Sequence, residues 1–413
     1  MSKLYPYQEA GVDWLLSGRR RYLADDMGLG KTPQALVAAR RRGVKRVRVI
    51  CPVSAIPNWH REAAVWGDPN WQFEAVSYAS RAVHGRTGKW DHVILDEAHY
   101  VKSSSAQRTR HALYLAAHAG SAALLSGTPG RNASEVWTLF DALWPEYMAP
   151  EYRSEEDWRE YFCTYREIPV GRYATRIKIT GHRRENLLEF RHLLKSVVLR
   201  RTLEQVALTL PPLRVTLHTL PRTQVFTDVL AHGDHAAVLQ AFLDEQVRDE
   251  TSSSRLRRLL GQLKVEPIAR LLVEELAGGQ YQKIVVGYYH RDVGDTLARI
   301  LRLFGVVRID GATPPAKRQS FIDQFNQDKH TRVFLGQMTA AGEALNLQAA
   351  SEVALVEPDW VPDPNRQFIK RVHRIGQTAP VRARVFGVEG TLDEEVVKNI
   401  ALNTQLQEES GLR

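Results

Sequence analysis

Cysteine is almost missing from this chain. Cys51 and Cys163 are the only two in 413 residues. That is too few for a disulfide framework or a zinc knuckle, and a reducing, intracellular compartment is expected. No stretch of 18 uninterrupted apolar residues exists either, so a membrane-spanning helix is not expected. The opening MSKLYPYQEAGVDWLL has neither the apolar core nor the small-residue cleavage site of a secretory signal. No cysteine and histidine spacing suits zinc. No internal repeat and no low-complexity tail stands out.

What is present describes a globular chain of two or three domains. Apolar residues make up 44% and charged residues 25%, with a formal net charge of +9. The excess is basic and falls in runs, such as RRR at 19–21, RRRGVKRVR at 40–48 and RLRR at 255–258. Each run alone reads as a solvated face. Together they favour a polyanionic partner, nucleic acid first.

Hydrophobic periodicity divides the chain into two α/β lobes joined by helical material. Residues 5–18 read as a helix with Tyr7, Gly11, Trp14 and Leu15 on one face. Strands are expected at 20–25, 44–52, 90–99 and 122–129, with helices opening at Lys31 and within 54–66. Residues 130–205 read as mainly helical, around an aromatic, charged stretch. A strand is expected at 214–220, then helices over 221–280 with a polar break at DETSSS (249–254). From 281 the alternation resumes with KIVVGYYH, VVRIDG, TRVFLGQ and EVALVEP. The fold class is therefore α/β, two RecA-like lobes with parallel sheets and a cleft between them, plus short helical insertions. The lobes are assigned to residues 1–205 and 206–413.

Three motifs carry chemistry. DDMGLGKT (25–32) supplies a strand end, a glycine turn and a helix opening on Lys-Thr. Gly28 and Gly30 let the backbone wrap phosphates, Lys31 reaches the β- and γ-phosphates, and Thr32 offers a hydroxyl to Mg²⁺. Asp25 stands where the ordinary phosphate-loop pattern has its first glycine. DEAH (96–99) ends a buried strand, making Asp96 a candidate magnesium carboxylate and Glu97 a candidate base for the attacking water. QFIKRVHRIGQ (367–377) places Arg371 and Arg374 three residues apart, hence on one face of an expected helix that HRIGQ ends. Both are candidates to meet charge developing on a transferred phosphoryl group. Trp59, Trp66, Trp71 and Trp90 read as packing anchors. His290 reads as a locally hydrogen-bonded residue. Tyr288 and Tyr289 are placed at a strand end within reach of the cleft.

Taken together these stretches resemble a superfamily 2 ATPase of the Snf2 type, a SWI2/SNF2-like DNA translocase. YPYQEAGVDWL (5–15), VICPVSAIPNWHREAAVW (49–66), LLSGTP (124–129), LRRTLEQVALTLPP (199–212), IDGATPPAKRQSFIDQF (309–325), QMTAAGEALNLQAAS (337–351) and WVPDPNRQFIKRVHRIGQ (360–377) carry the resemblance. It implies an ATP- and Mg²⁺-dependent motor on double-stranded DNA, related to the compact, fork-remodelling branch. It also implies that Gln8 reads adenine and that Asp26 and Gly342 belong to the nucleotide site. His99 would relay between the nucleotide site and the SGT turn. Phosphate contacts to DNA would come from Ser54, Asn58, Ser126, Thr128 and Asn346. The chain departs from the family pattern at Leu203, where lysine is usual, and at AGEALNL (341–347), where glycines are replaced. A strand-separating helicase and a non-catalytic scaffold of a repair or defence complex remain alternatives. No membrane partner is expected, and the location implied is cytoplasmic or nucleoid-associated.

Overall fold

The computed structural model describes residues 3–84, 89–127, 129–130, 132–170, 174–203, 205–206, 210–221, 250–338, 345–359, 362–374, 376–389, 391 and 393. Two compact units are present. Of the described residues, the first takes those within 3–166 and 178–206, and the second those within 167–177 and 210–393. No helix among the described residues is long and apolar enough to cross a membrane.

The first unit alternates helices and strands: α1 (Pro6–Leu16), β1 (Arg20–Leu23), α2 (Lys31–Arg41), β2 (Arg46–Cys51), α3 (Ile56–Trp66), β3 (Gln72–Ser77), α4 (Arg81–His84), β4 (His92–Asp96), α5 (Gln107–His118) and β5 (Ser121–Leu125). After these come α6 (Trp137–Leu143), α7 (Glu155–Phe162), then β6 (Cys163–Val170) and β7 (Ala174–His182), whose residues 167–170 and 174–177 count with the second unit, and α8 (Leu187–Val197) and β8 (Val198–Leu199). Six strands form one parallel sheet in the order β3-β2-β4-β5-β1-β8. Side chains alternate across a strand, so the sheet feeds two cores. Val93, Leu95, Ala122 and Leu124 enter one, and Ile94, Ala123 and Leu125 the other. The face of α1 that is buried is Gln8, Gly11, Val12 and Leu15, a helical repeat one step away from the expected Tyr7 and Trp14.

The second unit holds β9 (Leu213–Leu220), α9 (Glu250–Ala277), β10 (Ile284–Tyr288), α10 (Arg291–Leu301), β11 (Val306–Ile309), α11 (Pro315–Gln327), β12 (Val333–Gln337), β13 (Glu352–Leu355), α12 (Pro362–Ile369) and β14 (Val381–Val388). Its parallel sheet runs β11-β12-β10-β13-β14-β9. Val285, Phe334 and Val353 face one core, while Val286, Leu335 and Ala354 face α9 and α10 in the other. Buried charge ties α9 to β14. Arg384 forks onto both Glu275 oxygens at 2.6 and 2.7 Å, and Lys264 reaches Asp393 at 2.9 Å. Both charges are partnered, as burial requires.

The two-lobe α/β class with parallel sheets is the architecture present. Three local expectations are corrected. Residues 250–254 of DETSSS open α9 rather than interrupt a helix, because the serines lie in the first turns of a long helix whose apolar face starts later. Within 130–205, β6 and β7 pair as a two-stranded sheet where mainly helix was expected. Thr164 and Arg166 on β6, with Lys178 and Thr180 on β7, make a ribbon too polar to show as a buried strand. Tyr288 does not reach outward. It is fully buried, with its hydroxyl accepting from Arg308 Nε at 2.8 Å.

Candidate active site

The sheet of the first unit decides where chemistry can sit. β4, β5 and β1 are neighbours, and their register sets Asp96, Leu125 and Leu23 level with one another. The crossover from β1 to β2 passes over β5 and β4. The loops leaving β1, β4 and β5 therefore meet at the carboxyl ends of the strands, where a parallel sheet opens a crevice.

The loop after β1 is the glycine turn. Gly28 and Gly30 adopt φ of 89° and 69°, a region that costs other residues about 1–2 kcal/mol. A Cβ on Gly30 would collide with Gln8 Nε2. Gln8 lies on the buried face of α1. Its Nε2 donates to the Leu29 carbonyl at 3.2 Å, beside the Tyr7 hydroxyl, which donates to the same oxygen at 3.1 Å. α1 is thereby fastened to the loop. Lys31 and Thr32 open α2. Lys31 Nζ donates to the carbonyls of Asp25 and Asp26 at 2.6 and 3.2 Å. Burial pulls its pKa below the ordinary lysine value, against the charges of Glu97, Asp25, Asp96 and Asp26.

Two arginines far along the chain clamp this loop. Arg201 Nε donates to Asp25 Oδ1 at 2.9 Å, and its Nη2 to Asp25 Oδ2 and to Gln34 Oε1 of α2. Its Nη1 donates to the Tyr7 carbonyl of α1. Arg200 pairs with Asp26 Oδ1 at 3.2 Å and donates to the carbonyls of Ala24 and Gly127, each at 3.1 Å. β8 pairs with β1, with Leu199 level with Leu23, and this delivers both guanidiniums to the loop. The acid at position 25 is thus the anchor of a buried ion pair.

Asp96 ends β4. Its Oδ2 accepts the Trp59 indole N–H at 2.7 Å, and its Oδ1 accepts the Glu97 backbone N–H at 3.0 Å. Desolvation raises the Asp96 pKa and the Glu97 charge raises it further, while Trp59 and Lys31 act the other way. Glu97 has φ 52° and ψ 53°, and among the described residues it is the one non-glycine with positive φ. Holding it there costs about 1–3 kcal/mol. That strain turns the side chain out of the strand line, to 3.3 Å from His99 Nδ1. The same His99 nitrogen is 3.1 Å from Ser126 Oγ, so His99 joins DEAH to the turn after β5.

Thr32 and Asp96 offer hard oxygens, and Lys31 lies in the field of four carboxylates. Two of those are matched by Arg200 and Arg201, while Asp96 accepts from Trp59 and Glu97 lies beside His99. This donor set fits magnesium held through one carboxylate, one hydroxyl and the phosphates of a nucleotide. Among the described residues no three His, Cys, Asp or Glu side chains converge into a closed metal cage.

In the second unit Arg371 and Arg374 lie past the end of the helix on which the sequence placed them. α12 stops at Ile369. Arg371 N and Val372 N bond carbonyls three residues back, tightening the chain into turns that end at Gly376, φ 98°. Gln377 closes those turns. Its Nε2 donates to the carbonyls of Ala350, Val372 and Gln348, and its Oε1 accepts from Thr378 N and Ala379 N. Arg374 Nη1 donates to the Leu345 carbonyl at 3.3 Å, and Leu347 N to the Arg371 carbonyl at 3.0 Å. The arginine turn is thus bonded to the 345–350 segment. His290 is locally satisfied, as its sequence position suggested, with Nδ1 2.7 Å from the buried Glu357.

Ser54 lies in a single helical turn at the end of β2, and Asn58 is half-buried on α3. Ser126 was expected on a phosphate-facing surface. Instead it is fully buried beside His99, because its strand end is covered by the DEAH turn. Asn346 is half-buried, and its carbonyl accepts from Asn326. Thr128 and Gly342 lie outside the described residues.

A family model of the SNF2-related domain matches residues 7–84 and 72–264, more than half of the chain. The chain belongs to the SNF2-related domain family. A model of the helicase conserved C-terminal domain matches residues 264–376. The SWI/SNF-related matrix-associated actin-dependent regulator of chromatin subfamily A-like protein 1 of Xenopus tropicalis is 28% identical over 100% of this chain and 45% of its own length. The DNA annealing helicase and endonuclease ZRANB3 of Bos taurus is 28% identical over 95% of this chain and 39% of its own. The chain spans less than half the length of these relatives. A solved Sulfolobus solfataricus SWI2/SNF2 ATPase core in complex with dsDNA is 22% identical, with a TM-score of 0.45, covering 99% of this chain and 94% of that one.

Within this SNF2-related chain, the loop and the DEAH acids singled out from the sequence meet at one end of the first sheet, and Arg371 and Arg374 lie in the second unit. Sequence reasoning missed Arg200, Arg201 and Trp59 as parts of the site. Arg200 and Arg201 carried a signal in hindsight, since two adjacent arginines match the two adjacent acids at 25 and 26. Trp59 carried none, because an indole that packs and an indole that also donates to a carboxylate look alike in a sequence.

Proposed function

We propose that this chain is a DNA-stimulated ATPase that moves along double-stranded DNA, closing and opening two lobes around ATP. The observation that carries the reading is the meeting of Lys31, Thr32, Asp96 and Glu97 at one end of the first sheet. Gln8 meets the adenine, and Asp26, Gly28 and Gly30 shape the loop around the phosphates. Lys31 neutralises the β- and γ-phosphates, while Thr32 and Asp96 hold magnesium. The metal supplies positive charge against the phosphate oxygens. Glu97 accepts a proton from the attacking water as the new oxygen–phosphorus bond forms, and ADP leaves with inorganic phosphate as the other product. Arg371 and Arg374 bring guanidinium charge to the γ-phosphoryl group when the lobes, residues 1–205 and 206–413, close. Gly342 adds a contact from the second lobe.

DNA is held through its phosphates, with Ser54, Asn58, Thr128 and Asn346 as contacts and the basic balance of the chain as the attracting field. The printed names of the relatives include a regulator of chromatin and a DNA annealing helicase. Their likeness along nearly the whole of this chain supports an ATP-driven motor on DNA, while TPPAKRQ and TAAG carry the proposed relation to the compact, fork-remodelling branch, and the proposed location is cytoplasmic or nucleoid-associated. The test is ATP turnover measured in parallel with no nucleic acid, single-stranded DNA, duplex DNA and RNA. Duplex DNA is expected to stimulate most, with a steep loss at higher salt. A rate unchanged by duplex DNA at low salt refutes a translocase, and displacement of a strand from tailed duplexes would favour a helicase.

A further inference from the structure

The indole N–H of Trp59 is spent on the carboxylate proposed to hold magnesium. Trp59 is 1% exposed and is the one buried residue of α3, seated in the same core as Leu125 and Ile94. A buried indole N–H usually finds an acceptor, although those of Trp71, Trp90 and Trp137 are buried without one. Trp14, Trp144 and Trp158 give theirs to backbone carbonyls, at 3.3, 3.2 and 2.9 Å. Trp59 gives its own to Asp96 Oδ2 at 2.7 Å, the length of a charge-assisted bond.

The rest of Asp96 is also fixed. Oδ1 accepts the Glu97 N–H, and the carbonyl accepts the Tyr78 hydroxyl at 2.8 Å. Rotation of the carboxylate about its last bond is therefore stopped at both oxygens. One stop is local backbone, and the other is a rigid ring from a helix 37 residues away in sequence.

We propose that Trp59 is a positioning residue for the metal-binding carboxylate. Its N–H sets which oxygen lone pair of Asp96 is presented to magnesium. The inference rests on the nucleotide-site reading and adds a residue to it. Outer partners of metal-ligating groups commonly govern metal affinity by about 10–100-fold. Without the N–H, the carboxylate would also have to bury an oxygen with one bond fewer, and it would sample orientations that do not face the metal.

The experiment uses the full chain and ADP carrying a methylanthraniloyl fluorophore, titrated with magnesium and, separately, bound in EDTA. Trp59→Phe keeps an apolar ring and loses the N–H. A second variant places β-(3-benzothienyl)alanine at position 59, which keeps the indole shape with sulfur in place of N–H. A third, with 5-fluorotryptophan, keeps the donor. Both donor-less variants are expected to raise the magnesium midpoint on the order of 10-fold, leaving affinity in EDTA within about two-fold. The fluorotryptophan protein is expected to match wild type. A wild-type midpoint in the benzothienyl variant, or an equal loss of affinity in EDTA, overturns the inference and leaves Trp59 as packing alone. Absence of magnesium-dependent binding by the wild type overturns the site reading and this inference with it.

Discussion

Arg201→Met tests whether the acid at position 25 is there to anchor the phosphate loop. Asp25 has no exposed side-chain surface, and the Arg201 side chain is 14% exposed. The two meet through a two-pronged fork, and Arg201 also holds the Tyr7 carbonyl and Gln34. Removing only the arginine leaves a buried carboxylate with a single side-chain donor, Gln34 Nε2 at 3.4 Å. Breaking one side of such a pair costs about 3–5 kcal/mol. Replacing both partners is far milder, because the pair had already surrendered its hydration. Asp25→Ala with Arg201→Met should therefore cost at least ~2 kcal/mol less than the sum of the single changes. The assay is urea unfolding followed by tryptophan fluorescence. Eight of the nine tryptophans fall in the first unit, with Trp360 the exception, so the signal reports that unit. For a unit of this size a loss of ~3 kcal/mol lowers Tm by roughly 6–12 °C. An Arg201→Met protein as stable as wild type, or single losses that simply add, would refute the argument.

Glu97→Gln should retain nucleotide binding and lose hydrolysis about 100-fold, near 3 kcal/mol, because the loss falls on the water rather than on the phosphate grip; wild-type steady-state turnover would remove Glu97 from its role. Arg374→Ala should keep most DNA affinity while abolishing DNA-stimulated turnover, and Arg374→Lys should rescue poorly, lacking the planar fork of donors. ATPase rate at saturating DNA, read beside DNA affinity, distinguishes this from a merely basic surface. Burial, with the Arg42 charge second, pushes the His92 pKa down to about 3, and its Nδ1 lies 2.8 Å from Ser121 Oγ. The folded protein keeps His92 neutral where the unfolded chain protonates it. Its contribution is whole above the unfolded pKa near 6.5 and falls by about 1.4 kcal/mol per pH unit below it, toward pH 3. His92→Asn should flatten stability between about pH 6 and 4, and an unchanged slope would contradict the assignment.

The alternation of strands and helices, the glycine turn, the DEAH acids and the two α/β lobes were legible in the residue pattern. These are local signals. Val93, Ile94 and Leu95 are apolar in succession because both faces of a parallel strand are covered, and Gly28 and Gly30 mark backbone that bends where a Cβ cannot. Which side chains meet was fixed by packing between elements far apart in the chain. Arg200 and Arg201 reach Asp26 and Asp25 only because β8 pairs with β1, and Trp59 reaches Asp96 only because α3 packs on the sheet beside β4. No periodicity encodes a pairing across 174 or 176 residues. The arginine turn shows the same limit from the other side. A spacing of three suits a helix face, yet Gln377 and the 345–350 carbonyls draw Arg371 and Arg374 into turns. Bonds to a distant segment there outweigh the single helical turn that local propensity would have added.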